Sequence, residues 1–587
     1  MTIRALGDSA LLVDVVSPNA LNAAARVAQA AEILREADWP EVVEIVPALT
    51  AVCVQLRRGA AWGDMARRVG DAIEAGMRAE PPPVPSRLVT IPVSYGEDHG
   101  PDLGDVASHT GLAEQAVIDR HAAGDYLVQA IGFAPGFPYL TGMDAALACP
   151  RRATPQERVP AGSVGIGGTQ TGVYPQASPG GWNIIGRCPD LLFDPEAKEP
   201  SRLRAGDRVR FQSISAAEFE ERQREATRQK EIPGGSAGAA AIGGIHGGIT
   251  GATAIEGIHR GITGAAAIEV IHGGMQTTVQ DAGRVGFQSV GVTEGGATDS
   301  RARRLANLMV GNAADAAILE WPLQGPKLLF RERRLVAITG ARSEGVPFGR
   351  PFVVDAGDVL DLSRVPAGCR GNLAIGGGID VPRVLGSRST HLAGEFGGWR
   401  GRALRTGDVL PLGETTVVEA RGDWLVSPSL SRTMGLSRSM TDDIAEIRVL
   451  RGPEADWFAT AAWRRLLEEP FAASTQSDRM GLRLTGAELL RKTDEEMVSQ
   501  PVVAGTVQVP PDGQPIVLLC DRQSLGGYPR LANVISVDLP VLAQVRPRGR
   551  VRFTETTLEK AEALRLAEER DFARLEAGLR ERFRHST

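Results

Sequence analysis

The sequence predicts a mainly β, multidomain protein with α+β parts, and three observations carry that expectation. Gly (69) and Pro (37) are abundant while aromatic residues make up only 5%, a balance that favours turn-rich β architecture over a helical bundle. At 587 residues the chain exceeds what one core can bury, and ordinary domain sizes suggest roughly three to five units. Two distant segments also end in nearly the same words, Gln170-Thr171-Gly172-Val173-Tyr174-Pro175 and Gln523-Ser524-Leu525-Gly526-Gly527-Tyr528-Pro529. Each follows a Val-Pro start (Val159-Pro160, Val509-Pro510), and each precedes a turn and an alternating strand, Arg204 to Phe211 and Arg546 to Phe553. The recurrence points to related β domains with glycine-lined polar loops, where function concentrates.

Along the chain, residues 1–85 form a small α/β module. Ser9 to Val16 is an apolar strand, Asn19 to Ala37 an alanine-rich helix, Val42 to Leu56 a strand and Ala61 to Met77 a second helix. Pro81-Pro82-Pro83-Val84-Pro85 closes it with a stiff spacer. Residues 86–215 are short strands broken by Gly and Pro, with one helical insert near Leu112 to Ala123, which suits a compact barrel or sandwich.

Residues 216–266 join a charged helix, Ala216 to Lys230, to a low-complexity stretch in which a 13-residue unit recurs as Ala241 to Thr253, Ala254 to Ala266 and Ala267 to Val279. The spacing of His246, His259 and His272 invites a metal reading. Duplication of a domain's first strand, with two copies left as a tether and the third folded, explains it more simply. Residues 267–555 return to strands and turns. The Gly-Asp turns at Gly357-Asp358 and Gly407-Asp408 suggest two further barrel-like units, and residues 556–587 read as a docking helix.

A net charge of −6 spread over both signs gives no basis for a nucleic-acid or membrane partner. The five cysteines are scattered without a C-x-x-C pair, and neither a signal-type apolar stretch nor a run of about 20 apolar residues occurs. A cytoplasmic location is expected.

Chemistry is sought in the loops. Gly132 to Leu140 has too many breakers for a regular element, so Phe133, Phe137 and Tyr139 either plug a buried turn or wall a ligand. Arg158 to Pro175 sets Gly162, Gly165, Gly167, Gly168 and Gly172 around Ser163 and Gln170. Such glycines could aim backbone N–H groups at an anion, with Trp182 and Arg187 supplying a stacking face and a charge. No Walker A loop or H-E-x-x-H occurs, and the G-x-S-x-G match at Gly234 to Gly238 falls in the linker. The second half offers Gln280-Asp281 with Arg284, Asp299, Arg388, Asp478-Arg479 and Asp521-Arg522-Gln523 in Gly-rich turns. Arginines there suit a carboxylate or phosphate, and aspartates suit proton transfer or a metal.

Together these stretches resemble the family of allophanate hydrolase subunits 1 and 2, associated with 5-oxoprolinase subunits B and C. The B-type likeness lies in GFAPGFPYL (132–140), VPAGSVGIGGTQTGVYP (159–175) and SPGGWNIIGR (178–187). The C-type likeness lies in TTVQDAGRVGFQSVGVTEGGATDS (277–300), RLANLMVGN (304–312), GGIDVPRVLGSRST (377–390), SDRMGLRL (477–484), VPPDGQPIVLLCDRQSLGGYPRLA (509–532) and RGRVRF (548–553). The resemblance implies cyclophilin-like β-barrels, one in the first half and two in the second.

It also implies ATP-dependent opening of 5-oxo-L-proline to L-glutamate, with Mg²⁺ and a separate A-type subunit. The two halves would form an intramolecular B/C complex, with a homo-oligomer left open. On that reading Arg388, Arg479, Arg158 and the 159–175 loop, including Ser163, Gly167 and Gly168, hold anions. Asp478 and Asp521 manage Mg²⁺ or protons, while Gln523, Tyr528, Gln170 and Tyr174 orient the amide. Gln280, Asp281, Arg284, Asp299, Trp182 and Arg187 complete the pocket. Ser524-Leu525 stands where the family more often has two threonines, which puts the polarity of that loop in question.

The same domains resemble part of urea carboxylase, a biotin-dependent carboxyltransferase, although none of the five lysines has a biotinylation setting, so no biotin is expected on this chain. They also resemble a sporulation-kinase inhibitor and its antagonist, which would make the chain a regulator of a histidine kinase.

Overall fold

A computed structural model of the chain describes residues 1–15, 20–77, 87–152, 154–231, 267–415, 444–493, 495 and 497–584. The proline spacer and the first two 13-residue units lie wholly outside the described residues.

The N-terminal module consists of β1 (Thr2–Ala5), β2 (Ala10–Asp14), α1 (Ala20–Glu36), β3 (Val42–Pro47), β4 (Ala51–Leu56) and α2 (Trp62–Gly76), with sheet order β1-β2-β4-β3. The apolar stretch expected as one strand over 42–56 is a hairpin. Every residue of β4 is buried. Val52 and Val54 pack with α1 and α2, whereas Ala51 and Cys53 pack with Val503 of the second half. The unbroken apolar run thus records a strand covered on both faces.

The next unit contains β5 (Leu88–Tyr95), α3 (Leu103–Thr110), α4 (Glu114–Ala123), β6 (Tyr126–Ile131), β7 (Pro138–Thr141), β8 (Gln156–Val159), β9 (Ser163–Gly167), β10 (Gln170–Val173), β11 (Ser178–Gly180), β12 (Asn183–Arg187) and β13 (Arg208–Ser213), followed by α5 (Ala216–Glu231). Seven strands close into a barrel, β5-β12-β9-β10-β7-β6-β13, sealed by a parallel β5/β13 pair, and β8 pairs with β11 as a flap. His121 lies in its core. Tyr95 Oη is 2.8 Å from Nδ1 and Thr171 Oγ1 is 2.9 Å from Nε2. Because Thr171 donates its proton to Gly165 O, Nε2–H is the donor of the ring and Nδ1 the acceptor from tyrosine.

Burial pushes His121 down to about 3. Its contribution to stability is complete above the unfolded value near 6.5 and is lost as pH falls toward the folded value, at about 1.4 kcal/mol per pH unit. In His121→Gln, the slope of unfolding free energy against pH between 6 and 4.5 should be shallower by about that amount. Equal slopes for both proteins would contradict the assignment.

The second half opens with β14 (Ala267–His272), β15 (Thr278–Gln280), α6 (Ser300–Met309), β16 (Ile318–Pro322), β17 (Lys327–Phe330), β18 (Arg334–Arg342), β19 (Pro351–Val354), β20 (Val359–Asp361), β21 (Ala367–Ile375) and β22 (Val409–Pro411). β14 belongs to the third 13-residue unit, which is folded into a sheet as expected. His272 only accepts from Gly274 N at 3.0 Å. Two sheets, β20-β17-β14-β22 and β15-β16-β21-β18-β19, face a common core that includes Ile268, Leu328, Trp321, Ile338 and Leu373. The expected barrel here is a two-sheet, barrel-like unit, with no closed ladder among the described residues.

A second closed barrel follows, from β23 (Ala445–Arg451), α7 (Thr460–Glu468), β24 (Phe471–Ala473), β25 (Gly481–Thr485), β26 (Gln500–Pro501), β27 (Thr506–Gln508), β28 (Ile516–Leu518), β29 (Leu525–Gly526), β30 (Arg530–Val534), α8 (Leu539–Leu542) and β31 (Arg550–Glu555), before α9 (Leu558–Arg584). Its ring, β23-β30-β27-β28-β25-β24-β31, repeats the first barrel strand for strand, including the parallel closure and the β26/β29 flap. Two closed seven-strand rings agree with the cyclophilin-like expectation.

The repeated words, however, are offset by one element. β28 corresponds to β10 and β29 to β11, so the 523–529 segment matches Ala177 to Asn183 rather than Gln170 to Pro175, pairing Gly526-Gly527-Tyr528 with Gly180-Gly181-Trp182.

The Gly-Asp turns share one device. Asp207, Asp358 and Asp408 each accept from the backbone N–H three residues earlier, at 2.8, 3.2 and 2.7 Å. The preceding glycines take φ of 93°, 90° and 89°, a region that side chains disfavour.

Candidate functional site at the junction of the halves

The turn before β25 delivers the central cation. Asp478 accepts from Met480 N at 2.8 Å and Gly481 N at 3.1 Å, which fixes the turn and sends Arg479 inward. Arg479 donates Nε and Nη2 to Asp521 at 2.7 and 3.0 Å, Nη2 to Gly296 O at 2.6 Å and Nη1 to Thr298 Oγ1 at 3.1 Å, and it is also paired with Glu320. Glu320 further accepts from Thr298 N at 2.6 Å and lies 3.8 Å from Arg370. Its side chain is 1% exposed and that of Arg479 5%. Burial alone would raise Asp521, but the charge and hydrogen bonds of Arg479 hold it below the ordinary aspartate value. Burial likewise opposes the charge of Arg479, yet Asp521 and Glu320 keep it well above the usual guanidinium value. The result is a buried, ion-paired cluster.

Beside it, Arg284 is 1% exposed. Its Nη2 donates to Ser389 O and its guanidinium lies 4.9 Å from the Phe396 ring centroid, but Nε and Nη1 have no partner. Burial pushes it down to about 10. A Cβ on Gly295 would lie 3.5 Å from Arg284 Nη1 and 3.7 Å from Asp521 Oδ1, so guanidinium and carboxylate flank the open face of that glycine. His391 stacks on Phe396 at 4.6 Å, accepts from Gly394 N at 2.8 Å and is pushed down to about 4 by burial. It is therefore neutral near pH 7.

Several expected site residues have other work. Asp281 Oδ1 accepts from Ser387 Oγ, Ser389 Oγ and Gly283 N at 2.6, 2.6 and 2.8 Å, and Oδ2 accepts from Arg388 N at 2.6 Å. It ties the 387–389 loop and has little capacity left for proton transfer. Arg388 turns outward to Asp380 at 2.7 Å and Val381 O at 2.8 Å. Asp299 caps α6 through Ala302 N at 2.8 Å and receives Gln544 at 2.6 Å, with burial pushing it up to about 6. Gln280 is buried, with Nε2 donating to Thr278 Oγ1 at 3.0 Å. Tyr528 is exposed, and Gln523 is half-buried in the loop after β28.

The 159–175 segment is not an open anion loop, because Ser163, Gly167 and Gln170 lie on paired strands. Its glycines make room for rings instead. A Cβ on Gly167 would lie 2.5 Å from Trp182 Nε1. Gly168 takes φ 64° in the intervening turn, Arg158 is exposed on β8, and Arg187 donates to Ala161 O at 2.9 Å over the Phe219 ring. Tyr174 is buried and therefore unavailable to a ligand here. It makes edge-to-face contacts with Phe133, Phe137 and Trp182, and Tyr139 joins the cluster through Phe137 and Trp182.

The occupant of this aromatic cluster comes from the other half. Leu525, 1% exposed, packs within it, and a Cβ on Gly132 would lie 2.6 Å from Leu525 Cγ. Gly136 N donates to Val290 O at 2.9 Å. α9 completes the clasp, with Arg565 donating to Arg57 O at 3.0 Å and Ala60 O at 2.7 Å, and with Glu568 pairing with Arg58 and Arg301. The Asp521 to Tyr528 segment therefore has the charged cluster at one end and the first-half aromatic cluster in its middle.

Sequence reasoning missed Glu320, Thr298, Arg370 and Leu525. The signal for Glu320 was a lone carboxylate between Leu319 and Trp321 in a buried strand, which requires a cation partner.

Two barrels of one topology, joined where Leu525 of the second enters the aromatic cluster of the first, define a paired-domain architecture that comparison with known proteins identifies. Residues 1–203 match the family described as "Carboxyltransferase domain, subdomain C and D", and residues 290–555 match "Carboxyltransferase domain, subdomain A and B". The chain belongs to this carboxyltransferase-domain family. Its second half is 40% identical over 307 residues to the C-type 5-oxoprolinase subunit of Escherichia coli (strain K12), covering 51% of this chain and 95% of that protein. Its first half is 40% identical over 226 residues to the B-type 5-oxoprolinase subunit of Bacillus subtilis (strain 168), covering 37% and 94%. A urea amidolyase of Lachancea kluyveri is 33% identical over 321 residues, 51% of this chain but only 18% of that protein. The crystal structure of TTHA0988 superposes with a TM-score of 0.74 at 32% identity, covering 94% of this chain and all of that one. Among the described residues, no helix is long and apolar enough to cross a membrane.

Proposed function

We propose that this chain is the fused B/C component of an ATP-dependent 5-oxoprolinase, which opens 5-oxo-L-proline to L-glutamate together with a separate A-type subunit. The observation that carries the reading is that one chain spans nearly the full length of both the B-type and the C-type relatives, with Leu525 of one half seated in the other. The substrate is an anionic, unactivated cyclic amide. Arg284, with two unpaired N–H groups, suits its carboxylate, and Asp521 across Gly295 suits a proton exchanged at the ring nitrogen. ATP, when bound, supplies a phosphoryl group that turns the lactam oxygen into a better leaving group.

The described residues hold no group of three or more His, Cys, Asp or Glu that could hold a metal ion. Asp478 and Asp521 are committed to backbone N–H groups and to Arg479. They do not fit a ready Mg²⁺ cage, so no step is routed through the metal on this chain.

The test mixes this protein with an A-type subunit, ATP, Mg²⁺ and 5-oxoproline, and measures glutamate while each component is omitted in turn. Glutamate should require all of them, and Asp521→Ala should lower its formation by about 100-fold or more while the protein stays folded. Unchanged turnover in that variant would remove Asp521 from the mechanism. The urea amidolyase likeness favours a second reading, carboxyl transfer with biotin supplied in trans. Carboxylation of urea by a supplied carboxybiotin carrier, without lactam-dependent ATP hydrolysis, would support it instead.

A further inference from the structure

The N-terminal module contributes no side chain to the charged cluster, yet a buried hydrogen-bond relay runs from it to the residue beside Asp521. Glu44 on β3 accepts from Ser289 N at 3.0 Å, Gly286 N at 3.2 Å and Gln288 Nε2 at 3.3 Å. Gln55 on β4 and Gln288 exchange two amide bonds, at 2.8 and 3.0 Å. Gln288 Oε1 then accepts from Arg522 Nη2 at 2.9 Å. Arg522 is further fixed by Val502 O at 3.4 Å. Gln288 and Arg522 are each 2% exposed, Glu44 7% and Gln55 8%.

Both donors and both lone-pair directions of the Gln288 amide are used, so the amide has one satisfied orientation. Its interlock with Gln55 sets which face of the amide meets the guanidinium. Burial pushes Glu44 upward, but four hydrogen bonds to it oppose that shift, so the start of the relay is anchored from several sides.

We propose that Gln288 is a positioning residue, linking Glu44 and Gln55 of the N-terminal module to Arg522 and so fixing the Asp521–Gln523 loop for reaction. The loop is also tied by Arg522 N to Leu519 O at 3.3 Å and by Val502 N to Ser524 O at 3.1 Å, and Arg522 lies 3.8 Å from Glu294. Gln288, however, is the side chain through which the N-terminal module reaches Arg522, and rotation of Arg522 would carry its neighbours with it. Small displacements at a reacting group are costly in rate. The kinetic part of this inference rests on the 5-oxoprolinase reading, whereas the structural part does not.

The experiment compares the full chain with Gln288→Leu, Gln55→Leu and, as a control on the same interface, Thr50→Val, which removes only the exposed bond from Gln500 at 2.6 Å. Hydrogen exchange is followed in peptides covering 519–526, and kcat and KM for 5-oxoproline are measured with the A-type subunit. Both glutamine variants should exchange about tenfold faster or more in that segment, Gln288→Leu because the bond to the Arg522 guanidinium is lost and Gln55→Leu because the amide that orients Gln288 toward it is gone. Their kcat should fall about 10- to 100-fold with KM changed less than about threefold, while Thr50→Val matches the parent.

Unchanged exchange in both variants, or faster exchange with kcat intact, would overturn the proposal. If one glutamine variant fails to fold, the other carries the test. If the parent itself yields no glutamate, the 5-oxoprolinase reading fails, and the exchange measurement alone decides whether the relay positions the loop.

Discussion

Arg479→Met should cost about 3–5 kcal/mol of stability, the range for breaking a buried ion pair by removing one partner. The reason is asymmetry. Glu320 is 1% exposed and would be left with only Thr298 and a more distant Arg370 nearby. Asp521 would lose the main cation that holds it low, and burial, which already pushes it upward, would then be opposed only by the smaller influence of His391 and Arg370. Set against a typical domain stability of roughly 5–15 kcal/mol, a loss of this size should appear as an early transition on heating. Glu320→Gln in the same background should restore part of it, since a neutral amide needs no counter-charge. If the second substitution restores nothing, the loss reflects volume rather than charge.

Leu525→Ala should cost about 2–5 kcal/mol, as expected for truncating a fully buried leucine. Gly132→Ala should also destabilise, by about 1–3 kcal/mol, because its new methyl would fall 2.6 Å from Leu525 Cγ within a packed aromatic cluster. Contact between the two sites makes their effects non-additive. In the double variant the space vacated by leucine accepts the alanine methyl, so the combined loss should be clearly smaller than the sum of the single losses. Denaturant unfolding of the four proteins gives the coupling directly. Strict additivity would mean that Leu525 does not face Gly132 in solution.

Much of the architecture was legible because its signals are local. Gly206-Asp207, Gly357-Asp358 and Gly407-Asp408 announce their turns through a positive-φ glycine and a carboxylate that accepts a backbone proton. The third 13-residue unit reads as a strand because its apolar residues fit β14. Topology was less legible. The repeated words suggested a repeated fold correctly but aligned the wrong strands, because Tyr174 and Tyr528 stand after similar glycines in elements that do not correspond.

The site was legible only in part. Arg479 and Asp521 stood out as charges in glycine-rich turns, whereas Glu320 and Thr298 reach them only through the packing of β16 against the second barrel. The glycines of 159–175 were misjudged because close approach of an anion and close approach of an indole demand the same absence of a Cβ. Leu525 looked like a loss of loop polarity, and the structure gives it a positive role as the apolar plug between the halves.

That role leads to the most direct test of the central claim, that the two halves form one body in which the first half holds the segment carrying Asp521. A protease site introduced between residues 232 and 266 would allow the chain to be cut without touching any described contact. After cleavage, gel filtration should return both pieces in a single peak at the position of the uncut protein. Two separately eluting pieces would show that the halves do not hold each other, and the support that the first half gives the 521–528 segment would be lost.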